Sequence, residues 1–173
     1  MRADNRIVHG MWVGRQLSRL ELLTIHSFLH HGHEFHLWAY DDLSNAGLPP
    51  AVRIRDADQI IPRKDVFAKI GRDRETGVGR GSFGAPFSDL FRYKLLFEHG
   101  GIWADMDVTC LRPFDSKHAY AFRPHRLGVV GSIMKCPKGS RLLKAVYEEA
   151  IATVTGQVED HVRTSGLFMP SFG

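Results

Sequence analysis

Two hydrophobic periods alternate along the chain. Residues 6–13 (RIVHGMWV) form a short apolar run with β-branched positions, closed by Gly14, and predict a first strand. Residues 16–31 carry Leu17, Leu20, Leu22, Leu23, Ile25, Phe28 and Leu29 at helical spacing and stop at Gly32. Residues 34–40 (EFHLWAY) alternate as a second strand, followed by turn chemistry through Pro49 and Pro50. A strand, a loop and a short helix are expected through Ile70. Residues 71–84 (GRDRETGVGRGSFG) are rich in glycine and arginine with almost nothing apolar, which predicts a flexible loop of the kind that closes over ligands. Residues 88–99 (SDLFRYKLLFEH), entered through Pro86 with Ser88 as N-cap and ended by Gly100 and Gly101, predict a helix apolar on most of its circumference and therefore buried. The chain then runs into a strand over 101–113, ended by Pro113. Residues 127–135 predict another strand, 140–154 an amphipathic helix, and 164–173 a loop.

Strand and helix alternate without repeats, the pattern of an α/β fold, and residues 1–173 read as one domain. A chain of 173 residues that is 43% hydrophobic buries a sizeable core without covalent staples. Cys110 and Cys136 have neither zinc-site nor disulfide spacing; they read as small core residues in a reducing compartment. No stretch approaches the roughly 18 apolar residues that span a bilayer, so a cytoplasmic protein is expected, with peripheral contact at the inner membrane face as an option. A net charge of +4 suits an anionic ligand, an acidic acceptor or an anionic membrane surface. Nucleic acid is disfavoured, because Arg72, Arg74 and Arg80 have little aromatic interleaving beyond Phe83. His30, His31, His33 and His36 straddle a helix end without supporting ligands and read as structural.

The chemistry concentrates in residues 87–114. Asp105 and Asp107 are one residue apart on the expected strand, so its two-residue period projects them to the same side. Two carboxylates that close repel unless a cation intervenes, and hard ions such as Mn²⁺ or Mg²⁺ take oxygen ligands, with phosphate and water completing the shell. The flanking Ile102, Trp103, Ala104, Met106 and Val108 are apolar, so the strand is buried on one face and delivers its acids to a cleft. Asp89 and Arg92 lie three apart on one helix face; the acid suits ribose hydroxyls, and the arginine fork suits a phosphate or locks the acid. Trp12, at the end of the first strand, is placed to stack on a nucleobase.

The blocks I-V-H-x-x-W-V-G, F-S-D-L-F-R-Y-x-x-L-x-x-x-G-G-I-W-A-D-M-D-V and C-L-R-P resemble the glycosyltransferase family described as the sugar-binding region containing the DXD motif, over residues 6–113. That family includes mannosyltransferases, α-1,4-galactosyltransferases and capsular polysaccharide enzymes. The resemblance implies a GT-A (Rossmann-like) fold with a mixed, mainly parallel sheet, a UDP- or GDP-sugar donor, a saccharide or glycolipid acceptor, manganese or magnesium, and retention at the anomeric carbon. It implies that Trp12, helped by backbone near Met11, meets the base, and that Ser88, Asp89 and Arg92 contact nucleoside and donor sugar. Trp103 takes the aromatic position beside the motif, Asp105 touches ribose and reaches the metal largely through water, and Asp107 ligates the metal. The pattern departs from the family in two places. Gly131 and Ser132 stand where relatives often carry Asn, and the further metal or diphosphate ligand expected beyond the second half has only His161 as a stand-in. A catalytically incomplete nucleotide-sugar-binding domain is therefore the alternative. Gly79, Gly81 and Gly84 also spell a dinucleotide-binding G-x-G-x-x-G, but RDRETGV before them is not an apolar strand.

Overall fold

The structure is a computed structural model that describes residues 3–65, 69–72, 79–82, 85–126 and 128–152. Its elements are β1 (Ile7–Trp12), α1 (Arg19–His30), β2 (Glu34–Ala39), β3 (Arg53–Asp56), β4 (Lys69–Arg72), β5 (Gly79–Ser82), α2 (Ala85–His99), β6 (Gly101–Ala104), β7 (Ala121–His125), β8 (Gly128–Cys136) and α3 (residues 141–152). Six strands form one sheet in the order β3-β2-β1-β6-β8-β7. The pairs from β3 to β6 are parallel, whereas β8 runs antiparallel to both β6 and β7. The fold is thus α/β, a mixed and mainly parallel sheet with helices packed on it.

The strand period sorts each strand's residues into two cores. Val8, Phe35, Leu37, Ile102 and Ala104 pack against Ile25 and Phe28 of α1. Their sequence neighbours Trp38, Trp103 and Met134 face the other way and pack with Phe87, Phe91 and Leu95 of α2 and Leu143 of α3. α1 starts three residues later than its apolar spacing suggested, because Ser18 caps it and Glu21 completes a capping box. α2 starts three residues earlier: Pro86 costs nothing in a first turn that has no use for its missing N–H, so Ser88 lies inside the helix and is not its N-cap. Gly100, at φ 71°, ends α2 with its N–H on the Leu96 carbonyl, and a Cβ there would meet the Lys138 backbone nitrogen at 2.6 Å.

Three further expectations are corrected. β6 ends at Ala104, so the strand does not run to Pro113; the chain turns at Asp105, whose carbonyl accepts from Val108 N–H at 3.1 Å. Residues 71–84 are not all loop, since Lys69–Arg72 and Gly79–Ser82 pair antiparallel; residues 73–78 and 83–84 lie outside the described residues. That pairing makes Gly79 and Gly81 part of a strand, where a dinucleotide fingerprint needs a strand-to-helix turn. β7 was missed because AFRPH is polar and proline-bearing; it is tolerated as the sheet's edge. The expected C-terminal loop and His161 lie outside the described residues. Both cysteines are free and buried. Among the described residues, no helix is long and apolar enough to cross a membrane.

Candidate functional site

The carboxyl ends of β1, β2 and β6 meet the amino-terminal half of α2, the edge where an open α/β sheet presents ligand groups. Arg92 is the hub. Its side chain is 6% exposed, and Nη2 lies 3.0 Å from Asp89 Oδ1 and 3.2 Å from Asp105 Oδ1. Nη2 also donates to Ser88 Oγ at 3.1 Å, while Nε donates to the Ser88 carbonyl at 3.2 Å. The guanidinium stacks over Trp103 at 5.3 Å, a placement open to a planar cation. Trp103 is 1% exposed and donates from Nε1 to Asp105 Oδ1 at 2.8 Å. Five of the expected site residues, Ser88, Asp89, Arg92, Trp103 and Asp105, therefore form one connected network.

That network fixes Asp105 through a single oxygen. Oδ1 receives both Trp103 and Arg92, and the backbone N–H is tied to the Ser132 carbonyl at 2.8 Å. Asp89 is pushed above its ordinary range by burial, with Asp105 adding to the rise and Arg92 opposing it. One arginine thus holds two carboxylates of which one is already strained toward protonation. Because Trp103 is buried, any influence it has on a ligand passes through Asp105.

Asp107 is exposed, on the turn past Asp105, with the buried Met106 between them. The turn is anchored from behind: Thr24 Oγ1 donates to the Met106 carbonyl at 2.8 Å, and Ser27 Oγ accepts from Cys110 N–H at 2.9 Å. The acids are therefore presented by a pinned turn, and the strand-period argument for their common side does not apply. His9 of β1 pairs with Trp103 of β6, so continuing that register sets Met11 level with Asp105. Trp12 is half-buried and donates from Nε1 to the Gln16 carbonyl at 2.9 Å; among the described residues no hydrogen bond or ring contact joins it to the Arg92 network.

Sequence reasoning missed Asp41, just past β2. Its Oδ2 accepts from Gly14 N–H at 3.0 Å and its Oδ1 from Arg63 at 3.0 Å, which ties the loop after β1 to the sheet edge. Burial raises the Asp41 carboxyl, but the Arg63 and Gly14 hydrogen bonds outweigh it and leave the group below its ordinary range. The only signal was its position after an apolar strand, inside a stretch that reads as turn.

The donor set suits a hard divalent ion in part. Asp105 Oδ2 and the whole Asp107 carboxylate are oxygens unengaged by described residues, yet no group of three acidic, histidine or cysteine side chains converges among the described residues. Two carboxylates alone would leave most of a hard ion's coordination to phosphate and water.

Residues 75–122 match the family described as glycosyltransferase sugar-binding region containing DXD motif. That stretch holds α2 and the acidic turn, hence the whole Arg92 network and Asp107. Among solved structures, the chain is similar to one titled PaToxG Glycosyltransferase, at 13% identity and a TM-score of 0.60, over 87% of this chain and 60% of that one. This chain thus spans less than two thirds of the length of the structure it resembles. No curated protein matches it. The resemblance to DXD glycosyltransferases read from the sequence is borne out, and the fold is one found in a glycosyltransferase.

Proposed function

We propose that the chain is a nucleotide-sugar-dependent glycosyltransferase domain that moves a hexosyl group from a UDP- or GDP-sugar to a saccharide or lipid-linked acceptor, with retention and with Mn²⁺ or Mg²⁺. The observation that carries this reading is the Ser88–Asp89–Arg92–Trp103–Asp105 network at the carboxyl edge of the parallel strands, which leaves one oxygen of Asp105 and the exposed Asp107 carboxylate unengaged by described residues.

In this reading Asp107 and Asp105 hold the cation, and Asp105 Oδ2 also reaches the ribose. Arg92 and Trp103 keep Asp105 in place before the donor arrives, so its orientation costs no reorganisation during the reaction. Asp89 accepts from sugar or ribose hydroxyls, Ser88 lies beside it, and Met11 and Trp12 border the base. When bound, the divalent cation supplies Lewis-acid stabilisation of the negative charge on the departing diphosphate. With Asp89 and Asp105 both held by Arg92, this reading takes the reaction as front-face, leaving-group-assisted displacement rather than one through a covalent intermediate. A role in surface polysaccharide or glycolipid synthesis rests on the family resemblance alone; a cytoplasmic location with peripheral membrane contact is part of the same reading.

Calorimetric titration of UDP and GDP, each with and without Mn²⁺, followed by assay of UDP-sugar and GDP-sugar hydrolysis, tests the proposal. Manganese-dependent binding with sugar release is expected. Binding without release leaves a nucleotide-sugar-binding domain, and no binding to either nucleotide refutes the reading.

A further inference from the structure

Just past the carboxyl end of β2, Tyr40 and Asp41 continue the strand's alternation and turn opposite ways. Tyr40 packs on the α2-side core, its ring 6.2 Å from Phe87 and 6.3 Å from Phe91, and its hydroxyl donates to the Ile61 carbonyl at 2.7 Å. Asp41 instead accepts from Gly14 N–H, in the loop after β1. Arg63 spans the two, since Nη1 donates to the Tyr40 carbonyl at 2.8 Å and to Asp41 Oδ1 at 3.0 Å. One guanidinium nitrogen thus fixes both the backbone before Asp41 and the carboxylate itself.

Arg63 is launched from a fixed backbone. Its N–H donates to Asp58 Oδ1 at 2.7 Å, Ile60 and Ile61 before it are buried in the α2-side core, and Lys94 of α2 donates to the Ile60 carbonyl. Its side chain is 55% exposed, against 14% for Asp41. An ion pair with one partner so exposed adds little to stability. Its consequence is the orientation of the carboxylate.

On the far side of Asp41 the contacts run to Trp12. Gly14 sits at φ 123°, and a Cβ there would lie 3.6 Å from Trp12 Nε1, so turn and indole touch. Nε1 donates to the Gln16 carbonyl at 2.9 Å, which folds the ring over the same loop. The half-buried ring rests in part on the α1-side core. With its single donor used inside the loop, the indole has only its face to offer a ligand. The aim of that face depends on the loop that Asp41 holds through Gly14.

We propose that Arg63 and Asp41 are positioning residues of the donor site, which hold the loop after β1 so that the Trp12 ring face receives the nucleobase. The role rests on the proposed donor site, in which Trp12 borders the base. Neither side chain needs to touch the ligand, because a ring aimed beforehand removes an ordering cost from binding. The device serves the base end alone. Arg92 and Trp103 fix Asp105 through bonds in which Arg63 and Asp41 take no part, so the two ends respond separately.

The test is Arg63→Gln in the full chain, with the fold checked by circular dichroism. Proton–nitrogen correlation spectra report the indole N–H groups of the three tryptophans, with Trp12 assigned through Trp12→Phe. Without ligand, the Trp12 signal is expected to shift and to exchange faster with water, while Trp38, bonded to His9, and Trp103, bonded to Asp105, stay in place. With Mn²⁺ present, calorimetry is expected to show UDP or GDP bound roughly fivefold or more weakly, and pyrophosphate, which has no base, bound as in the parent chain. The proposal is overturned by an unmoved Trp12 signal in the folded variant, or by equal weakening of nucleotide and pyrophosphate. A parent chain that binds neither nucleotide removes the donor site and this role with it; parent binding that Arg63→Gln leaves unchanged removes this role alone.

Discussion

Gly131 lies directly against the Arg92 guanidinium: a Cβ at position 131 would fall 2.5 Å from Nη1 and 3.3 Å from Cζ. β8 therefore leaves a gap in its side-chain row that the arginine fills. A methyl group pushes the fork off Asp105; an amide pushes it further. Gly131→Ala is expected to weaken manganese-dependent nucleotide binding by about tenfold, roughly 1.4 kcal/mol, and Gly131→Asn by more. Isothermal titration decides, and equal affinity in all three proteins would show that Arg92 does not set Asp105.

Asp107 is the site residue with least structural duty. It is exposed on a turn that Thr24 and Ser27 hold from the other side, so Asp107→Ala should leave stability within about 0.5 kcal/mol while abolishing manganese-dependent nucleotide binding. Chemical denaturation and calorimetry on one preparation separate the two effects. Retained metal-dependent affinity would remove Asp107 from the ligand set.

The sequence was legible wherever local chemistry and global packing agreed. The strands of residues 6–13 and 34–40, and the helix between them, announced themselves by period, and the Asp89–Arg92 pair by its three-residue helical spacing. What stayed hidden depended on contacts remote in sequence. Ser88 looks like an N-cap until Pro86 is seen inside the first turn, and the acids look strand-borne until Asp105 is seen to turn the chain. Asp41 gave no signal beyond its place after an apolar strand, and the anchors Thr24 and Ser27 gave none, because the groups they bind lie 27, 82 and 83 residues away.

Gly10 is such a remote constraint on the acidic turn. A Cβ there would meet Met106 Sδ at 2.7 Å and Phe35 Cζ at 3.0 Å, so the thioether between Asp105 and Asp107 is seated only because β1 has no side chain at this point. Gly10→Ala overpacks the α1-side core and should cost about 1–3 kcal/mol in urea unfolding. It should also weaken nucleotide binding, since the displaced Met106 carries both acids with it. Loss of stability with unaltered affinity would show that the thioether moves alone.

His9 makes stability depend on pH in a defined direction. Burial, then the nearby His36 and His99, hold its ring at a pKa of about 3, against an ordinary value of 6.5. Above pH 6.5 the ring is neutral in both folded and unfolded chains and favours neither. Between 6.5 and 3 the unfolded chain takes up a proton that the folded one refuses, so stability falls with acidity by up to about 1.4 kcal/mol per pH unit. His33, His36 and His99 are also lowered, each first by burial, and steepen the same slope. Urea unfolding in chloride buffers free of sulfate and phosphate should therefore show a loss of about 2 kcal/mol or more between pH 6.5 and 5, with a shallower slope in His9→Gln. A flat profile over that interval would mean that His9 takes its proton without unfolding, which the Trp38 donor on Nδ1 and the neighbouring His36 and His99 rings oppose.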